Sequence, residues 1–460
     1  MSNPSRRAFL QRLAQLGVAG IANPLAINLA AMGEAAAFNN PNGDYKALVC
    51  VFLYGGNDHG NTLIPYDALN YSRYQQIRPA IAVGQSSILP LLPTTAQTGL
   101  QWGTHPALTR LQALFHEQRV AWLQNVGTLI HPLTLDDYRN NRYAIPPRLF
   151  SHSDQQMFWQ SQPTDRPVQG WGSAIGDLAL AQNSQSIFTC ITANGQATML
   201  SGGQAAQYRI STDGAIPIWS AREGAWIYHT QSCANALRTL VTQSRYHWME
   251  DEINKVTQRS LQAESMVSSA LTGAPALNTV FNTTSNNLAA QLKVVARLIS
   301  ARASLGVKRQ VFFVGMGGYD THDNLLGQHN SLMAKLDDAL GSFYQATVEL
   351  GVAQQVTTFT ASDFGRTLTS NGDGSDHGWG GHHLIMGGAV RGRELYGVTP
   401  EMGVNTAIDV GQGRWIPTTS VDQYAATLAR WFGVSNSEMN LVVPNLVNFS
   451  QKDVGFMQTV

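Results

Sequence analysis

Residues 375–383 read SDHGWGGHH, one aspartate and three histidines in nine positions. Aspartate mixed with histidine is a ligand set for zinc, manganese or iron, whereas an all-oxygen set would suit calcium or magnesium. Broken by glycines, the stretch reads as a loop rather than a regular helix or a well-packed strand. Three more acids stand just beyond apolar runs: Asp58 in GGND, Asp320 with His322 in GGYDTH, and Asp363 in SDFG. Taken singly, a strand-end aspartate is a turn former or helix cap, and a loop histidine is a hydrogen-bonding group. Taken together, Asp58, Asp320, His322, Asp363, Asp376, His377 and His382 form a candidate site for a divalent metal. His382 and His383 are adjacent and point in different directions, so at most one of them is expected to be a ligand.

These side chains meet only if the elements before them end at one place. Four short apolar runs feed the loops: Ala47–Leu53, Arg119–Asn125, Arg309–Val314 and Gln355–Thr360. Their β-branched and aromatic content, with little alternation, suits parallel strands covered on both faces. Between them, residues 288–306 carry an apolar stripe at Leu288, Leu292, Val295, Leu298 and Ile299, closed by Gly306. Residues 331–351 carry a second stripe, closed by Gly351. Strand–helix–strand order predicts a single α/β domain with a central, mostly parallel sheet and helices on both faces. Ligands of such sheets bind beyond the carboxyl ends of the strands. Residues 183–285, rich in Gly, Ser, Thr and Gln, read as a cap or insertion.

The chain of 460 residues has 30 basic and 30 acidic side chains, and only 13% of it is charged. No basic field exists to draw nucleic acid or anionic lipid. The N-terminus places Arg6 and Arg7 before Phe9 and Leu10, then an Ala/Gly/Leu-rich stretch and Ala35-Ala36-Ala37. That pattern predicts a twin-arginine export signal over residues 1–37 and a mature chain from about residue 38. The export machinery is then a partner, and the destination is the periplasm or beyond. Folded export suits a metal loaded in the cytoplasm. No second apolar run is long enough to span a membrane. Of three cysteines, Cys50 reads as a buried thiol, and an oxidising periplasm would allow a Cys190–Cys233 bridge.

The order of strand-ending acids resembles the alkaline phosphatase/sulfatase superfamily. More closely, the chain resembles the domain-of-unknown-function 1501 family of exported bacterial proteins. The likeness is carried by VFLYGGNDHGNTLIPY (51–66), THPALTRLQALF (104–115), SHSDQQMFWQ (151–160), VGMGGYDTHDN (314–324) and ASDFGRT through NGDGSDHG (361–378). It implies an alkaline-phosphatase-like three-layer sandwich and one or two metal ions. Asp58 and Asp363 would serve one ion, and Asp320, His322 and His377 the other. Where the superfamily often has Ser-Asp-His-Gly, this chain has Ser362-Asp363-Phe364-Gly365, and Phe364 cannot bind metal.

Superfamily nucleophiles sit near a helix N-terminus. No cysteine has the sulfatase Cys-x-Pro-x-Arg setting, which leaves PPRLFSHSDQQMFWQ (146–160) as the best match. Ser151 there would be a nucleophile facing free backbone N–H groups, or merely the helix cap. Ser153 and Thr134 are lesser candidates. His152 would orient a leaving group, or pack beside Trp159. Arg366 would hold a tetrahedral anion with its planar fork, or pair with a nearby acid to fix the loop. His105 reads as a turn-fixing residue, or a ligand, and His59, beside Asp58, is a lesser ligand candidate. His116, His131, His229 and His247 fall in no constellation. The expected function is metal-dependent hydrolysis of a small-molecule or polymeric phosphate or sulfate ester. The alternative is a non-catalytic periplasmic protein that uses the same cleft to bind a ligand or partner.

Overall fold

The computed structural model describes residues 44–161 and 168–458. The signal expected over residues 1–37 lies outside them. Ten strands make the central sheet: β1 (Lys46–Leu53), β2 (Val120–Gly127), β3 (Cys190–Thr192), β4 (Gln207–Ser211), β5 (Gly214–Ala215), β6 (Arg309–Met316), β7 (Val356–Ser362), β8 (Gly381–Gly387), β9 (Leu395–Tyr396) and β10 (Thr419–Ser420). Their order is β9-β2-β8-β7-β1-β6-β3-β4-β5, with β10 also on β2. Strand β1 is parallel to both β6 and β7, β3 to β6, and β4 to β3. Only β5 and β8 run the other way.

All of β1 is buried, and its alternation sorts two cores. Ala47, Val49, Val51 and Leu53 join a cluster with helices α1 (Thr109–His116), α6 (Asn287–Ser300) and α7 (Leu325–Glu349). Leu48, Cys50 and Phe52 face the opposite cluster, with α2 (His152–Ser161), α3 (Trp171–Ala179) and α8 (Val421–Phe432). The expected three-layer α/β sandwich is therefore present. Helices α4 (Gln231–Thr242) and α5 (Trp248–Gly273) form a hairpin beyond the β5 edge, with the second half of α5 joining the first cluster. Within 183–285, β3 to β5 widen the main sheet, and the helical hairpin follows.

Register explains how distant acids become neighbours. Leu53 lies opposite Ser362 on one side and Met316 on the other, so β1, β6 and β7 end level. The loops carrying Asp58, Asp320 and Asp363 leave from that one edge. Strand β8 is antiparallel, so its beginning, not its end, lies there, and Gly381 pairs with Val126 near the end of β2. The 375–383 stretch is thus delivered to the same edge from the other direction. It is not the loop its glycines suggest: Ser375–His377 pairs with Arg366–Ser370, and His382 and His383 are buried inside β8. Burial holds both imidazoles neutral, with pKa values driven down to about 3, so they pack as core residues. Gly55, at φ +114°, closes the edge: a Cβ there would collide with the backbone nitrogen of Asp320.

The cysteines also differ from expectation. Cys50 and Cys190 are buried, Cys233 is exposed on α4, and all three are free, so no Cys190–Cys233 bridge forms.

Candidate metal centre

Asp320, in the loop after β6, is the hub. Its Oδ1 lies 3.0 Å from His322 Nε2 and 3.2 Å from His377 Nε2, and its Oδ2 lies 3.3 Å from His152 Nε2. The Nε2 atoms of His322 and His377 are only 3.0 Å apart. His152, Asp320 and His377 each offer one ligand atom within 4.8 Å of the others.

The far nitrogen of each ring decides what this means. His152 Nδ1 donates to Asp363 Oδ2 at 2.6 Å. His377 Nδ1 donates to the Phe150 carbonyl at 2.8 Å. His322 Nδ1 faces Asp376 Oδ1 at 3.4 Å. A ring that commits its proton to an outer acceptor presents a bare lone pair on the other nitrogen. Three such lone pairs therefore turn toward one carboxylate. In their neutral tautomers acceptors face acceptors, an arrangement that suits a cation between them. This donor set, three imidazoles and a carboxylate, fits a divalent transition metal. The sequence-predicted ligands Asp320, His322 and His377 are together, and His152, expected to handle a leaving group, joins them.

Asp363 and Asp376, expected as ligands, stand one layer out and hold His152 and His322. Asp363 is buried, and also accepts from Gln156 and from the Gly55 amide. Asp58 is apart, fully buried and paired with Arg78 at 2.5 Å. Its charge is answered by a guanidinium that sequence reading did not single out; nothing local in QQIRPA marks Arg78 as its partner. His382 is apart as well, its Nδ1 accepting from the Asn125 amide at 3.1 Å and its ring beside His59 and Trp415.

Arg366 is fully buried, so it does not present its fork to an anion. It donates to Asp320 Oδ1 at 2.7 Å, to Gly55 O at 3.1 Å, to Ser375 Oγ at 3.0 Å and to the Ser375 carbonyl. Those bonds fix Asp320. Partial burial alone would raise the Asp320 pKa, but Arg366 and the neighbouring histidines more than offset it, and the carboxylate stays below its usual range. His152 is shifted upward, chiefly by its hydrogen bond to Asp363. His377 is shifted downward, chiefly by burial.

Ser151 precedes α2: its carbonyl accepts from Gln155 N at 3.0 Å, and its hydroxyl donates to Asp154 Oδ2 at 2.6 Å. Thr134 caps a separate short helix in a capping box with Asp137. Phe364 fills space against the rings of His152 and His377, at 4.9 and 4.7 Å.

A family described as Protein of unknown function (DUF1501) matches residues 45–442. The chain belongs to the DUF1501 family. No curated protein matches this member in sequence. Among solved structures it is similar to the lipoteichoic acid synthase LtaP from Listeria monocytogenes (8% identity, 90% of this chain and 77% of that one, TM-score 0.36). It is also similar to the PsFucS1 sulfatase from Pseudoalteromonas sp. (10%, 94% and 77%, TM-score 0.39). A third is the C-terminal periplasmic domain of EcEptC from Escherichia coli, a complex with zinc (11%, 89% and 89%, TM-score 0.37). No helix among the described residues of this DUF1501 chain is long and apolar enough to cross a membrane.

Proposed function

We propose that this chain is an exported, metal-dependent hydrolase of phosphate or sulfate esters. In this reading one divalent ion is held by His152, Asp320, His322 and His377. One observation supports it above the rest: three Nε2 lone pairs converge on Asp320 while each Nδ1 is engaged outward. When bound, the metal supplies Lewis acidity toward an ester oxygen. Ser151, at the N-terminus of α2, would attack the phosphorus or sulfur while Asp154 takes its proton, the bond to the ester oxygen breaks and the alcohol leaves with that proton, and water then releases the group from Ser151. Arg366 acts by keeping Asp320 in place. Export follows from the twin-arginine pattern of the first 37 residues.

A second reading is a metal-loaded binding protein without turnover. It is favoured by the burial of Arg366, which keeps that guanidinium from clamping an anion. One experiment separates the two. Purified protein should carry about one transition-metal ion per chain by mass spectrometry of the metal. Asp320→Asn should lose it. Ser151→Ala should keep it and lose hydrolysis of a chromogenic phosphate or sulfate ester. Metal without turnover in the unaltered chain would select the binding protein, and a metal-free chain after loading would refute both.

A further inference from the structure

The hairpin of α4 and α5 is the part of the molecule least served by its own fold. Of α4 only Ala234 is buried; of α5, Asn254 is the one buried residue before Leu261. Asn254 ties the two helices together by donating to the Leu240 and Gln243 carbonyls. Helices of this length draw their stability from a packed apolar face rather than from propensity. Yet the apolar side chains here point outward. Among the described residues, eleven of the 23 exposed large hydrophobics lie between Ile216 and Val256, and so do all three exposed tryptophans, Trp219, Trp226 and Trp248. A patch so concentrated marks an interaction surface.

Its shape and charge indicate the occupant. Met249, Ile253 and Val256 recur at helical spacing on one exposed stripe of α5. Val256 continues into an open groove of about 870 Å³ with Tyr208, Ile216 and Ile218. Residues 216–260 hold five basic and four acidic side chains, so no field pulls the patch to an anionic bilayer. Glu252 and Arg259 sit two turns apart on one flank of the stripe and bridge at 2.8 Å. A copy of α5 crossing antiparallel near residue 255 sets each acid beside the other copy's base, a self-complementary pattern that an isologous contact requires. Trp248, Met249, Ile253 and Val256 on α5, with Ile216 and Ile218 at the groove, supply the apolar centre that such a contact needs.

We propose that this hairpin is a homodimer surface, covered by the α5 stripe of a second copy of this chain. It does not depend on the metal reading. Light scattering on the full chain should give a dimer mass. Ile253→Asp and Val256→Asp place a charge at exposed positions, so the monomer still folds; each should weaken dimerisation on the order of 100-fold with unchanged circular dichroism. Cys233 is the one exposed thiol, so a nitroxide attached there should report a dipolar coupling between copies that Ile253→Asp abolishes. A monomer at every concentration, or a dimer that survives both substitutions, would overturn the proposal. So would a monomer that sediments with phosphatidylglycerol vesicles through the same residues.

Discussion

Five histidines of this chain are buried and belong to no metal set: His59, His105, His329, His382 and His383, each no more than 3% exposed. Burial drives all of them down, His105, His329, His382 and His383 to about 3 and His59 well below its ordinary value. In the unfolded chain each returns to about 6.5. Between those values the unfolded state binds protons that the folded state refuses, so stability must fall as pH falls below about 6.5. At pH 5.5 each unfolded imidazole has gained about 1.4 kcal/mol from protonation, or about 7 kcal/mol for five, an amount comparable with the whole 5–15 kcal/mol of a typical domain. The folded-state values hardly enter, because they lie far below the test pH. In the metal-free chain His152 is shifted up and His377 down, so those two pull in opposite directions. The assay is urea unfolding of metal-free protein at steps from pH 7.5 to 5.5, above the carboxylate range. The free energy should drop with a slope approaching five protons, and His329→Asn should remove about one of them. A flat profile over that range would show that these rings are not held neutral in the interior, and the packing described for β8 would be wrong.

Two shorter predictions concern the layers around the centre. Asp363→Asn keeps the shape but weakens the acceptor that orients His152, and should lower metal affinity about 10–100-fold in competition with a chromophoric chelator. Asp58→Ala strands the buried Arg78 guanidinium and should cost about 3–5 kcal/mol in urea unfolding, yet leave metal content per folded chain unchanged, because neither residue touches the centre.

The strands buried on both faces were legible because continuous apolar runs are what such strands require. All four runs became strands of the same sense, with boundaries moved by a residue or two. Helix α6 stops at Ser300, and Gly306 is instead the left-handed end of the turn that follows, at φ +62°. Strand β8 was not legible, since GHHLIMG hides its apolar character behind two imidazoles that only burial makes neutral. The site was half legible. Asp320, His322 and His377 share a short stretch or a clear strand-end signal. His152 comes from a helix start far off in the chain, and its pairing with Asp363 spans 211 positions. Arg78 and Asp58, 20 positions apart, meet only because the loop after β1 folds back over the helix Ala68–Ile77.

Three of the five core histidines differ from the ligand histidines in the group that meets Nδ1. At His152 and His377 it is a carboxylate or a carbonyl, so in the neutral ring the proton sits on Nδ1 and Nε2 is bare, and His322 Nδ1 faces the Asp376 carboxylate at 3.4 Å. At His59, His105 and His382 it is a backbone N–H, from Arg366, Ala107 and Asn125, so Nδ1 must accept and Nε2 carries the proton. The second class cannot present Nε2 to a metal without losing a buried amide's only acceptor, a loss of about 1–3 kcal/mol. His377 and His382 stand five residues apart in the opening motif and fall on opposite sides of this division. The sheet edge decides between them: His377 ends the short strand that reaches Phe150, whereas His382 has already entered β8, where the amide of β2 is waiting.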